Sequence, residues 1–302
     1  MRHSLWSITL LALSSPILLS QSGDDAWEII YDAQTKIRLT EARFSAGTRR
    51  LSWLAAEEKS AKAKSKAPIG PEYLEFREDK TPMYTDDVVT YVPLVSVMRL
   101  EYEHEKKLVR VTVKQAGDKN LTLAGPTKYA NINKFSLDAA VAAKGDVTLD
   151  GALQIQDGRM KVPFRGLIHG GAKPVAAPTG RSATVIVRDM EKTPHQVQGL
   201  APLYKVGAGQ KLASVLMFQK IGQLDLSKIA SLRQLPPTDK KQTYSHEYEV
   251  TQAGREKEML TLLDVTQLDG NAKATLVGLV GSVPAGYKLF PMAIIAEVRF
   301  DP

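Results

Sequence analysis

The chain has no cysteine in 302 residues. That absence removes disulfide bonds, thiolate metal sites, iron–sulfur clusters, covalent c-type haem and cysteine nucleophiles together, so any core must hold by packing alone. A lipid anchor just behind an apolar leader, which needs a cysteine there, is excluded as well. Aromatic residues are scarce, at 7%. Beyond residue 22 the tryptophans are Trp27 and Trp53, both within β-like alternation, a setting that favours core packing over a sugar platform. Histidine occurs five times, and no pair among His104, His169, His195 and His246 has the short spacing that zinc sites supply. There is no Gly-x-Ser-x-Gly, and the run from Gly207 to Lys211 lacks the Lys-Ser/Thr of a phosphate loop and the third glycine of a dinucleotide site. No cofactor and no metal is expected.

What is present begins with residues 1–22. Arg2 precedes an apolar run over 5–19, acidic Asp24 and Asp25 come only after it, and Ser20, Gln21 and Ser22 form a small-x-small site. This is the pattern of a cleaved signal peptide. The run is shorter than the roughly 20 residues a spanning helix needs, so a retained anchor and a buried core segment are the weaker alternatives. The expectation is an exported protein, periplasmic or extracellular, with no transmembrane span after cleavage.

Removing 1–22 takes away one basic residue, Arg2, so the 40 basic and 33 acidic residues become 39 and 33, a mild net charge of +6. At 43% hydrophobic and 24% charged the composition is that of a folded globular chain. Lys59, Lys62, Lys64 and Lys66 stand in an Ala/Ser/Lys tract over 55–67 without a large apolar residue. Such a tract cannot bury a face, and it is read as a solvated linker ahead of a polyanion-binding arm.

Periodicity then divides the chain. Residues 23–67 carry an N-terminal hairpin, with 36–44 alternating, 45–48 turning and 51–54 returning, followed by the Lys/Ala linker. Residues 26–33 fit strand and helix templates equally. A first β module spans 68–168, with short extended runs at 73–76, 88–92, 98–102, 108–113 and 121–123, and a hairpin turn at Asp157-Gly158. Residues 169–180, rich in Gly, Pro and Ala, read as a linker to a second β module over 181–302, whose last run, 292–300, is expected to close its sheet. Strands this short and close predict a mainly β fold of two small antiparallel barrel or sandwich-like modules, because a parallel sheet would require crossover helices.

The halves echo each other. Leu94, Val97 and Leu100 are spaced as are Leu226, Ile229 and Leu232, each triplet suiting a single helical turn, and Gln115-Ala-Gly117 reappears as Gln252-Ala-Gly254. Residues 121–137 and 260–276 align without gaps at six identities, among them Leu137 with Leu276. Degenerate duplication and chance sharing of turn residues both account for this, and strand order in a structure decides between them.

The blocks PEYLEFRED at 71–79, VPLVSVMRL at 92–100 and TKYANINKF at 127–135 resemble an uncharacterised exported β-rich protein family of planctomycete-type bacteria. The resemblance covers residues 36–140. It implies export and β character and brings no catalytic residues.

Two acidic clusters remain, Glu101 to Glu105 with His104 inside, and His246 to Glu249. Glu103, His104, His246 and Glu247 are the candidates for acid–base work in an extracytoplasmic hydrolase whose site is assembled from scattered residues. In a strand Glu101, Glu103 and Glu105 share one face and His104 the other, with Lys106 and Lys107 adjacent, which is how a solvated strand end looks. The leading expectation is therefore a non-catalytic exported β protein with a binding or envelope-structural role. Its expected partner is an envelope protein or a polyanionic surface, and not nucleic acid.

Overall fold

The computed structural model describes residues 26–30, 36–54, 71–78, 88–103, 105–117, 119–127, 133, 135–141, 159–163, 165–188, 194–237, 245–268 and 272–302. Residues 1–22, read as a leader, the Lys/Ala tract at 55–67, His104, and Asp157-Gly158, read as a turn, lie outside them. The fold is mainly β, and every strand pair is antiparallel.

In the first half the strands are β1 (Trp27–Ile30), β2 (Lys36–Ala46), β3 (Thr48–Arg50), β4 (Glu72–Phe76), β5 (Val89–Pro93), β6 (Val97–Glu103), β7 (Leu108–Lys114), β8 (Asn120–Pro126), β9 (Ser136–Val141), β10 (Arg159–Pro163) and β11 (Gly166–His169). The second half has β12 (Ser182–Val187), β13 (Pro194–Val206), β14 (Gly209–Leu212), β15 (Val215–Phe218), β16 (Gly222–Asp225), β17 (Ile229–Gln234), β18 (Glu247–Gln252), β19 (Lys257–Thr261), β20 (Val265–Leu268), β21 (Ala272–Val283), β22 (Gly286–Pro291) and β23 (Ile295–Phe300).

One eight-stranded sheet runs β10-β9-β2-β1-β11-β6-β7-β8. A thirteen-stranded sheet runs β19-β18-β17-β23-β12-β13-β21-β22-β5-β4-β3, with β14 added to β13 and β20 to β21, and β15-β16 form a separate hairpin. Read in from β22, the second sheet repeats the first strand for strand: β22-β21-β13-β12-β23-β17-β18-β19 matches β10-β9-β2-β1-β11-β6-β7-β8 in position and in chain order. The strand order is that of a duplication.

Register agrees with topology. In the first half Ile29, Leu167, Leu100 and Val111 face one another in a cross-strand row, and Val185, Val298, Leu232 and Val250 form the same row in the second. All eight side chains are buried. The β-bulge between Val97 and Arg99 recurs between Ile229 and Ser231, and the pair Phe44–Leu137 recurs as Tyr204–Leu276. Each repeat also carries a hairpin of matching register that leads through a 3₁₀ turn into the next strand. Leu74 faces Val92 and Phe76 faces Thr90 in β4-β5, while Leu216 faces Leu224 and Phe218 faces Gly222 in β15-β16. The turns Leu94–Ser96 and Leu226–Lys228 are the single helical turns that the triplet spacing predicts, and a third, Met292–Ile294, joins β22 to β23.

Among the described residues no sheet closes into a barrel, and the sandwich-like form of the expected fold is the one that fits; in the larger sheet the outer edge of β22 is taken by β5 and the sheet continues into β4 and β3. The N-terminal hairpin is β1-β2; β3 pairs with β4, so the chain changes sheet at Gly47, and residues 51–54 make a turn whose Leu51 and Trp53 pack on a sheet face. Residues 172–179 have no regular structure but are tied down. Lys173 N donates to Val95 O at 2.8 Å and Val175 N to Lys114 O at 2.9 Å, with Ala172 and Val175 buried.

The main core draws on both halves, from Trp27 and Leu39 through Val185 and Val298. A second cluster lies around Leu51, Trp53, Tyr73, Tyr91, Leu203, Val280 and Leu289, where β4, β5, β22, β21 and β13 run side by side.

Candidate functional site

Glu103 ends β6, and its carboxylate accepts from Arg110 on β7 and from Lys106 Nζ at 2.8 Å. It is half-buried, and the hydrogen bonds from Arg110 and then Lys106 hold its carboxyl below the ordinary Glu value. His246 precedes β18, with Nδ1 3.3 Å from Asp264 Oδ1 and its carbonyl accepting from Leu262 N at 2.8 Å. Glu247 accepts from Thr261 Oγ1 at 2.8 Å across the β18-β19 pair. The fold thus gathers His246, Glu247, Asp264 and Thr261 beside β18 and β19 of the larger sheet, and leaves Glu103 in the eight-stranded sheet. The two acidic clusters do not occupy equivalent places: Glu101 and Glu103 close β6, whereas Glu247 and Glu249 stand at the start of β18, the counterpart of β7. Chemically each is a carboxylate engaged by a neighbour across a strand pair. Among the described residues no group of three or more His, Asp or Glu side chains is placed to hold a metal ion.

The junction of the two repeats holds a polar group that sequence spacing missed. Lys288 on β22 faces Thr90 on β5, and Glu78, just beyond β4, reaches between them. Lys288 Nζ donates to Glu78 Oε1 at 2.7 Å and Thr90 Oγ1 to the same oxygen at 3.2 Å. Lys288 keeps only 10% side-chain exposure and Glu78 33%, so the ammonium is largely withdrawn from water while the carboxylate stays partly wet. Burial raises the Glu78 carboxyl, but the Lys288 charge, the two hydrogen bonds and the more distant His195 outweigh it and hold the value below the ordinary one. Glu78 and Lys288 are 210 residues apart, and no local pattern links them.

On the same strands an aromatic group forms the second cluster. Trp53 meets Tyr91 and Tyr287 edge to face at 6.4 and 5.3 Å, and Tyr73 meets Tyr287 at 6.1 Å. Burial, with Tyr287 alongside, pushes the Tyr73 phenol up to about 12. Tyr91 is raised by burial and by Glu75, while Arg49 both hydrogen-bonds it and pairs with Glu75 at 3.0 Å. The phenols therefore stay protonated donors through the physiological range. Along β4 the two faces divide: Leu74 and Phe76 enter the main core, and Tyr73 lies in the second cluster. Trp27 and Trp53 are both buried, in keeping with packing as their role.

No protein-family model matches the chain, and no curated protein is similar to it. A solved structure titled "Botulinum Neurotoxin Type G Receptor Binding Domain" pairs with it at 7% identity over 93% of this chain and 98% of that one, with a TM-score of 0.12, a level that carries no argument about fold or function.

Proposed function

We propose that this chain is an exported, non-catalytic β protein that binds an envelope protein or polyanionic surface, or builds envelope structure. The observation that carries the reading is the engagement of Glu103 by Arg110 and Lys106: the most acidic sequence cluster serves as a strand-end ion pair. The junction pair Glu78–Lys288 is likewise used to join strands. The leader pattern at 1–22 and the resemblance to exported planctomycete-type proteins support the location.

A hydrolase remains the second reading because His246 Nδ1 faces the Asp264 carboxylate at 3.3 Å, the orienting half of an acid–base pair. The test is a panel of ester, glycoside and peptide substrates with the wild type, Glu103→Gln and His246→Ala. The binding reading expects no turnover that depends on either residue. Turnover lost in His246→Ala with folding intact would overturn it. Export is checked separately by the mass of the mature N-terminus, expected near Gly23.

A further inference from the structure

The hairpin β15-β16 touches the larger sheet along one line. Phe218 faces Leu262 in an antiparallel bridge, Gln219 N donates to Thr261 O at 2.9 Å, and Leu263 N donates to Met217 O at 2.8 Å, so β15 runs beside the end of β19 and the bend that leads into β20. Alternation from that bridge sorts the side chains. Leu216, Phe218, Leu260 and Leu262 turn inward and are buried, whereas Val215, Met217, Met259, Leu263 and Val265 turn outward. Ile221 stands next to them, in the turn that closes β15-β16. Met259, Val265 and Ile221 are 55%, 48% and 40% exposed, three of the four large apolar side chains left exposed among the described residues. They gather on one outer strip.

Repeat one shows how the matching face is covered. By the shared hairpin register, Tyr73 and Tyr91 hold the places of Val215 and Gln223, and they pack with Leu51 and Trp53 until only 6% and 4% of their surface is exposed. In repeat two Gln223 is exposed and Val215 half-buried. The second face is left wet.

We propose that this strip is the contact of a twofold dimer, in which it packs on the same strip of a second copy running in the opposite direction. The charges along the strip favour that occupant. Lys220 stands at the tip of the hairpin, and Asp225 stands at its base, opposite Val215, with its carboxylate accepting from Ser227 N at 2.8 Å. A twofold axis across the strip reverses it, so the Lys220 end of each copy meets the Asp225 end of the other. Lys257, near Met259, is held by Glu249 at 2.9 Å within its own copy and leaves this polarity in place. A surface that complements itself on reversal is what an isologous contact requires, and such a contact closes at two copies. An exposed apolar cluster with a polar rim is the usual mark of an association surface. The pairing is independent of the functional reading above, because a binding protein and an enzyme would pair equally.

Equilibrium sedimentation of the chain from residue 23 onward, followed against concentration, tests the proposal. The mass is expected to rise from one copy to two and to stop there. Met259→Lys, at a site already wet in the single chain, is expected to leave the circular dichroism unchanged and to raise the dimer dissociation constant by about tenfold or more. Lys220→Asp and Asp225→Lys each place like charges at both ends of a homodimer, and each is expected to weaken it by about fivefold or more. An equal mixture of the two restores opposite charges at both ends, so mixed dimers are expected to form as the wild type does. A single-copy mass at every concentration up to about 1 mM, growth beyond two copies, a Met259→Lys chain that pairs like the wild type, or mixed dimers no tighter than the swapped homodimers would each overturn the proposal. A chain that stays single but floats with phosphatidylglycerol vesicles, and loses that binding in Met259→Lys, would give the strip to a lipid surface and overturn it too.

Discussion

Gly286 shows how tightly one residue governs the junction. Its φ is +136°, and a Cβ there would meet the Tyr91 carbonyl oxygen at 2.2 Å and Pro93 Cδ at 2.8 Å, so backbone from the two repeats approaches as only glycine permits. Gly286→Ala is expected to lower stability by about 2–4 kcal/mol in denaturant unfolding. Gly254→Ala, at φ +72° with open space around it, should lose about 1 kcal/mol; equal losses at the two sites would mean the junction is not so constrained. Glu78 adds a pH dependence. Its carboxyl is depressed in the folded state, so the stability it contributes is complete above the ordinary value of 4.5 and is lost as pH falls through the lower folded value. Thermal midpoints are expected to drop below pH 4.5 more steeply in the wild type than in Glu78→Gln, and parallel curves would count against the pairing. None of this was legible in the sequence, because Tyr91 and Gly286, like Glu78 and Lys288, meet only through long-range strand pairing.

Elements were more legible than their partners. The alternation of Val109, Val111 and Val113 places three fully buried side chains on one face of β7, and period two announces such a strand whatever it pairs with. Triplet spacing found the 3₁₀ turns because a turn of three residues stacks positions i and i+3. The hairpin at 36–54 misled because composition reports that a turn exists and not which strands it joins: β2 finds β1 and β9 instead. Within the connecting residues 169–180, the Gly, Pro and Ala content marks a linker without showing how it packs, and small side chains let such a segment lie close: Ala172 and Val175 are buried. Hydrogen exchange should find the amides of Lys173 and Val175, which donate to Val95 O and Lys114 O, slower than those of Ala176 and Ala177 by at least about tenfold. Uniformly fast exchange across 172–179 would restore the flexible linker.

At the scale of the whole molecule, the pairing of β22 with β5 ties the stability of one repeat to the other. Strands β3, β4 and β5 come from the first half of the chain but extend the sheet of the second, covering the edge of β22 and enclosing Leu289 beside Tyr91 and Trp53. Gln115 Nε2 reaches the Pro284 carbonyl at 3.3 Å, and the main core includes residues of both halves without interruption. Cutting the chain at 180 would therefore bare the backbone edge of β22 and return Tyr287, Leu289 and Val280 to water, a loss of several kcal/mol at about 25 cal/mol per Å² of apolar surface. Small domains have little more than that in reserve. The intact chain is accordingly expected to unfold in one calorimetric transition, with the van't Hoff and calorimetric enthalpies equal, and a 181–302 fragment to be either unfolded or self-associated through its bared edge. Two separable transitions, with the isolated fragment melting as a monomer at the temperature of one of them, would show that the repeats are energetically independent despite the sheet they share.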